Sequence, residues 1–180
     1  MALGFFKKVV IADRISVGVN TVFNNVSSYS GIYFILAALM FTVQIYCDFS
    51  GYSDIARGAA RVMGFRLMVN FDRPFSSHTL KEFWRRWHIS LSSWFAEYLY
   101  IPLGGNRKGK LKKYRNNLIT FAVSGLWHGA AYTFILWGFV HGIYLVIEDI
   151  ARTEYSKIKD IWHISNKADI FFKIISPVIT

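Results

Sequence analysis

A single cysteine, Cys47, stands in 180 residues. That excludes an intrachain disulfide and a cysteine-built zinc site, and it leaves Cys47 as a small apolar residue of a helix. Acidic residues are scarce too: eleven Asp and Glu stand against twenty-one Lys and Arg, for a net charge of +10. Between Ser53 and Asn116 thirteen Lys or Arg face four Asp or Glu, so about +9 of the charge lies in that block. Each flank contains a long stretch without charge. Residues 31 to 47 and 118 to 147 contain no Asp, Glu, Lys or Arg. A soluble nucleic-acid binder does not keep thirty residues in a row uncharged, so the basic block reads as a loop under the positive-inside bias and not as a nucleic-acid surface. A composition 53% hydrophobic and 18% aromatic agrees with a membrane protein.

Familiar catalytic and targeting signatures are missing as well. There is no GxSxG elbow, no GxGxxG phosphate cradle and no HxxxH or HExxH ligand pair, which leaves a metal site without local support. No apolar core followed by a small-residue cleavage site appears near Met1, so targeting is expected from internal membrane segments. A transporter of two related halves is not visible either.

What remains is organised by hydropathy. Residues 1–30 read as an interfacial helix and loop, with Lys7 and Lys8 set among Phe5, Phe6, Val9 and Val10. Residues 31–50 read as a membrane helix ending near Asp48. Residues 51–117 form an amphipathic and basic region. Within it, residues 75–100 predict one helix starting at Ser76 or Ser77, with an apolar stripe from Leu80 and Trp84 through Trp87 to Trp94 and Tyr98. IPLGGNRKGKLKKYRNN reads as a turn and basic loop on the cytoplasmic side, able to attract an anionic acyl carrier or a CoA diphosphate. As one helix, residues 118–147 would be ~45 Å long, more than a bilayer needs. The GLWHGAA interruption predicts a broken hairpin that returns Glu148, Asp149, Arg152, Lys157 and Lys159 to the side of the basic loop. Residues 149–180 then read as a loop and, in FFKIISPVIT, the start of another helix.

The titratable residues in the apolar zone are His128 and His141, and intramembrane ionisable groups are functional candidates by default. Gly125 and Gly129 flank His128, leaving space either for a substrate or for close helix packing. His141 reads more simply as a polar residue facing the bundle interior, and His88 as an interfacial histidine among aromatics.

Three long stretches, YCDFSGYSDIARGAARVMGF, NFDRPFSSHTLKEFWRRWHISLSSWFAEYLYIPLGGNRKG and SGLWHGAAYTFILWGFVHGIYLVIED, together resemble the membrane-bound O-acyltransferases. The nearest branch is the bacterial alginate O-acetylation type, with teichoic acid D-alanyl transfer as a sibling. The resemblance implies an all-α, polytopic helical membrane fold with transmembrane, re-entrant and interfacial helices, in the bacterial inner membrane. It places His128 on the family's tunnel histidine and His88 on a second active-site position, where many relatives outside this branch carry Asn or Asp. The role implied for His128 is general base on a hydroxyl, or relay of the acyl group. Trp87, Trp127 and Tyr52 are implied as tunnel lining by motif; His141 recurs in the branch and joins that set without an assigned chemistry.

No bound cofactor is implied. The co-substrate is an acyl thioester, acetyl-CoA or an acyl carrier. The implied partners are membrane lipid, a polysaccharide acceptor and an extracytoplasmic acetyltransferase that completes the transfer. The reaction implied is acyl transfer, acetyl first and D-alanyl second, onto a cell-surface polymer; a non-catalytic transporter or scaffold is the rival from outside the enzymes. Family members are usually much longer, so the chain is expected to be the middle-to-C-terminal part of one, and these residues alone are not expected to be active.

Overall fold

The computed structural model describes residues 1–162. They form helices and turns, with no strand among the described residues. The chain divides into two compact units, Met1–Asn70 and the part from Phe71 onward.

In the first unit α1 (Ala2–Phe5) passes through a π-helical stretch, Phe6–Ala12, into α2 (Asp13–Asn24). After a short 3₁₀ turn the chain enters α3 (Gly31–Val62). The expected membrane helix of residues 31–50 is thus too short: the helix does not stop at Asp48 but continues to Val62. The reason is ionic. Carboxylates on an apolar helix are costly unless paired. The preceding helix supplies the partners, Lys8 to Asp48 at 2.6 Å and Lys7 to Asp54 at 2.8 Å. Close packing brings these groups together, since a Cβ on Gly4 would stand 2.6 Å from the Gly51 carbonyl oxygen.

In the second unit the single amphipathic helix expected over residues 75–100 is in pieces: a 3₁₀ turn, α4 (Leu80–Arg86), α5 (Ile89–Phe95) and a π-helical turn, Ala96–Tyr100. Its start is Thr79, not Ser76 or Ser77. The Glu82 amide donates to the Thr79 hydroxyl at 3.0 Å, and the Glu82 carboxylate accepts from the His78 amide at 3.0 Å. This is a variant of the capping box, with the return bond one residue earlier. Ser77 is buried instead.

The uncharged run breaks at Gly129–Ala131, between α6 (Lys110–His128) and α7 (Tyr132–Trp162). Two sequence expectations are corrected here. The basic loop is already helical from Lys110, because Lys and Arg are good helix formers. Residues 149–162 continue α7 and are not a loop. FFKIISPVIT lies outside the described residues.

The two helices cross backbone to backbone. A Cβ on Gly125 would stand 2.1 Å from the Phe134 carbonyl oxygen, and one on Gly138 would stand 2.1 Å from that of Phe121. Small residues therefore serve helix packing here. Lys113 pairs with Asp149, whose carboxylate also accepts from the Tyr114 hydroxyl at 3.1 Å. The far end of α7's uncharged run thus lies beside the basic start of α6.

Both α3 and the Tyr132–Ser156 part of α7 are long and apolar enough to cross a membrane, and only 11% of each apolar window is buried. Apolar faces left outward in this way suit lipid.

Candidate active site

A cavity of about 220 Å³ opens in the second unit, between the broken helix α4–α5 and α6. Leu91, Phe95 and Phe121 give it an apolar wall, joined by the Trp84 and Trp87 rings. Asn117, Thr120, Ser124 and His128 also line it, at spacings of three, four and four residues along α6. That spacing puts them on one helix face. His88 enters from the opposite wall.

The local backbone places His88 there. The Trp87 amide donates to the Phe83 carbonyl at 2.9 Å and closes α4; the Ser92 amide donates to the His88 carbonyl at 3.0 Å and opens α5. Between them His88 takes the left-handed conformation, φ 44° and ψ 55°. For a residue with a Cβ this costs roughly 1–2 kcal/mol, and it persists where the surroundings over-determine it. Two bonds do so: the Ser92 hydroxyl donates to the Trp87 carbonyl at 3.2 Å, and the Asp72 amide donates to the Arg86 carbonyl at 3.0 Å. Burial, reinforced by the His128 imidazole, pushes His88 down to about 4, so it is neutral near pH 7.

His128 is the last residue of α6. Its ring lies edge-on to Trp127 at 5.0 Å and to Trp137 at 5.4 Å, and Trp127 lies 6.0 Å from the His88 ring. Trp127 is thus beside both imidazoles, yet it is 58% exposed and flanks the cavity instead of lining it. Trp87 does line it, stacked on Phe83 at 5.5 Å.

His141 does not reach the wall. It packs behind, edge-on to Trp137 at 4.8 Å and to Trp84 at 5.2 Å, and its Nδ1 is buried without a hydrogen-bond partner among the described residues. Tyr52 belongs to α3 in the first unit, where it stacks on Phe49 at 6.5 Å.

Sequence reasoning missed Ser92, the residue that braces the His88 bend. It also missed the polar face of α6, although the spacing from Asn117 to His128 was readable. Asn116 left no signal. It is fully buried, and its amide donates to the Leu103 and Gly105 carbonyls at 3.3 and 2.9 Å, fixing the turn before α6. No group of three His, Cys, Asp or Glu that could hold a metal gathers among the described residues. Chemically, two imidazoles on one largely apolar cavity can hold and move a proton at a bound hydroxyl.

Residues 2–174 match the MBOAT, or membrane-bound O-acyltransferase, family. The chain is similar to a probable alginate O-acetylase AlgI of Pseudomonas putida, 53% identical over 145 residues, which are 81% of this chain and 30% of that protein. It is also similar to the peptidoglycan O-acetyltransferase of Helicobacter pylori, 46% identical over 146 residues, 81% of this chain and 28% of that protein. With the teichoic acid D-alanyltransferase of Streptococcus thermophilus it shares 41% identity over 113 residues, 59% of this chain and 27% of that protein. The chain spans about 30% of the length of these relatives.

Proposed function

The chain belongs to the membrane-bound O-acyltransferase family, and on that premise we propose that it carries the reaction centre of an O-acetyltransferase of the bacterial inner membrane. The acyl group is acetyl, the donor a thioester (acetyl-CoA or an acyl carrier), and the acceptor a hydroxyl of an exported polysaccharide such as alginate. An extracytoplasmic acetyltransferase is the partner this reading assigns for completing the transfer. The observation that carries it is the convergence of His88 and His128 on one cavity.

His128 takes the proton of the attacking hydroxyl as its oxygen bonds to the thioester carbonyl carbon. The tetrahedral intermediate collapses, the carbon–sulfur bond breaks, and His128 returns the proton to the departing thiolate. Neutral His88 hydrogen-bonds the same centre and orients it. Trp87 closes the apolar side, and Trp127 screens the pair from one flank.

The test is acetyl incorporation into surface polysaccharide by the protein in its native membrane, wild type against His128→Ala at equal abundance. Loss by a factor of about 10² or more is expected for a general base. Full acetylation by the variant makes His128 structural and ends this reading.

A further inference from the structure

We propose that the turn Ile101–Lys108 and the first two turns of α6 form a binding surface for anionic phospholipid headgroups. The proposal does not depend on the acyl-transfer chemistry. Six of the nine residues 107–115 are Lys or Arg. Among the described residues Lys113 is the member with a carboxylate partner, Asp149. Arg107, Lys108, Lys110, Lys112 and Arg115 are exposed and have none among the described residues, Arg115 donating only to the Asn116 amide oxygen. Elsewhere among the described residues Lys7, Lys8, Arg86 and Arg152 are ion-paired, and the cations without a carboxylate partner, such as Arg14, Arg61 and Arg66, are scattered instead of clustered. Five unneutralised cations this close repel one another, a cost that a bound anionic surface removes.

The patch is also held rigid. Asn116 pins the turn through the Leu103 and Gly105 carbonyls, and the Gly105 amide closes it onto the Tyr100 carbonyl at 2.9 Å. A segment needed only for its charge during membrane insertion requires no such bracing.

Depth and apolar content favour lipid over an acidic protein. The uncharged run of α6 starts at Leu118. At 1.5 Å per residue, Arg115 lies ~5 Å and Lys110 ~12 Å above that level. The headgroup layer is roughly 5–8 Å thick on each side, so Arg115 and Lys113 lie within it, while Lys112 and Lys110 stand above it and reach back along their flexible side chains. α7 marks the same boundary independently, because its uncharged run ends at Glu148 and Asp149 pairs with Lys113. Leu111 is 85% exposed in the middle of the cations. On the helix leading into the turn, Trp94 and Tyr98 are exposed and stacked at 5.3 Å, and Ile101 is exposed behind them. Exposed aromatics preceding a basic segment in the chain are the composition of an anchor on an anionic leaflet.

The test uses the protein in vesicles of phosphatidylcholine with phosphatidylglycerol, and measures the association of spin-labelled phosphatidylglycerol relative to spin-labelled phosphatidylcholine. The wild type is expected to prefer the anionic lipid about fivefold or more at low salt, since each cation near such a surface is worth about that factor. High salt shrinks the preference by screening. R107Q/K108Q/K110Q/K112Q is expected to lower it severalfold, with Arg115 holding a remainder, and K108R/K110R/K112R to keep it, with unfolding midpoints reporting the fold of both. Equal association of the two lipids with the wild type overturns the proposal. So does an unchanged preference in the glutamine variant. Acetyl transfer that needs these cations while no lipid preference exists also overturns it, and assigns the patch to an acidic protein donor. Loss of transfer in His128→Ala leaves this outcome untouched.

Discussion

Adding one methyl group at Gly125 is expected to open the α6–α7 crossing and silence the site from a distance. The new Cβ would stand 2.1 Å from the Phe134 carbonyl oxygen and must retreat by about 1.3 Å to reach ordinary 3.4 Å contact. The obstacle is backbone, so no side-chain rotation relieves it. A gap of 0.5–1 Å forfeits roughly a quarter to a half of each dispersion contact across the seam. Overpacking of this kind costs about 1–3 kcal/mol, and a backbone obstacle puts Gly125→Ala at the upper end. The 5.4 Å approach of Trp137 to His128 spans the same seam. Misplacement by ~1 Å can cost about 10² in rate. The assay pairs thermal unfolding in detergent with acetyl incorporation at equal abundance. Gly31→Ala is the control, because nothing lies within 4 Å of a Cβ there. An unchanged midpoint and full acetylation in Gly125→Ala would refute the view that glycine-mediated contact sets the position of His128.

Asn116→Leu is expected to cost about 1–3 kcal/mol, because it strips one buried and one part-buried carbonyl of their donor; chemical denaturation measures it, and limited proteolysis should locate the loosening at residues 103–109. His88→Asn should keep abundance, since Asn tolerates the left-handed region, whereas His88→Val places a β-branched residue at φ 44° and should lower stability by at least ~1 kcal/mol. Burial holds His88 at about 4 in the folded protein, so the unfolded chain takes up that proton first, near pH ~6.5. Stability should therefore fall as pH drops from ~6.5 towards 4 and level off below. Unfolding midpoints across that range should show a shallower acid limb in His88→Gln, and an unaltered limb would mean that His88 is not the group responsible.

Hydropathy made part of this fold legible. The charge-free run of 118–147 predicted two elements with a break in GLWHGAA, and small residues ending in Gly129–Ala131 mark the break in the structure. The helix over 75–100 was misread because its apolar period runs through Trp87 and His88 with no Gly or Pro to interrupt it. The left-handed bend there is imposed by Ser92 and Asp72, contacts that no local pattern announces. Three hydroxyl residues, Ser76, Ser77 and Thr79, compete as the cap, and only Glu82 three positions on distinguishes Thr79. Asp48 looked like the end of a span because its partner, Lys8, lies forty residues away in the sequence. At the site, His88 and His128 stood out by motif and share the cavity. His141 and Trp127 stood out equally, yet one lies behind its wall and the other on its flank.

The crossing at Gly125 and Gly138 has a consequence for how the protein is made. Its contacts join residues fewer than twenty-five positions apart, from Leu118 with Gly142 to Gly125 with Phe134. Contacts this local form early and close little chain entropy. The hairpin can zip together during membrane insertion once Gly142 has left the ribosome. His128 is then seated by its own hairpin, and a late defect elsewhere in the chain can disable acceptor or donor access without disturbing the imidazole.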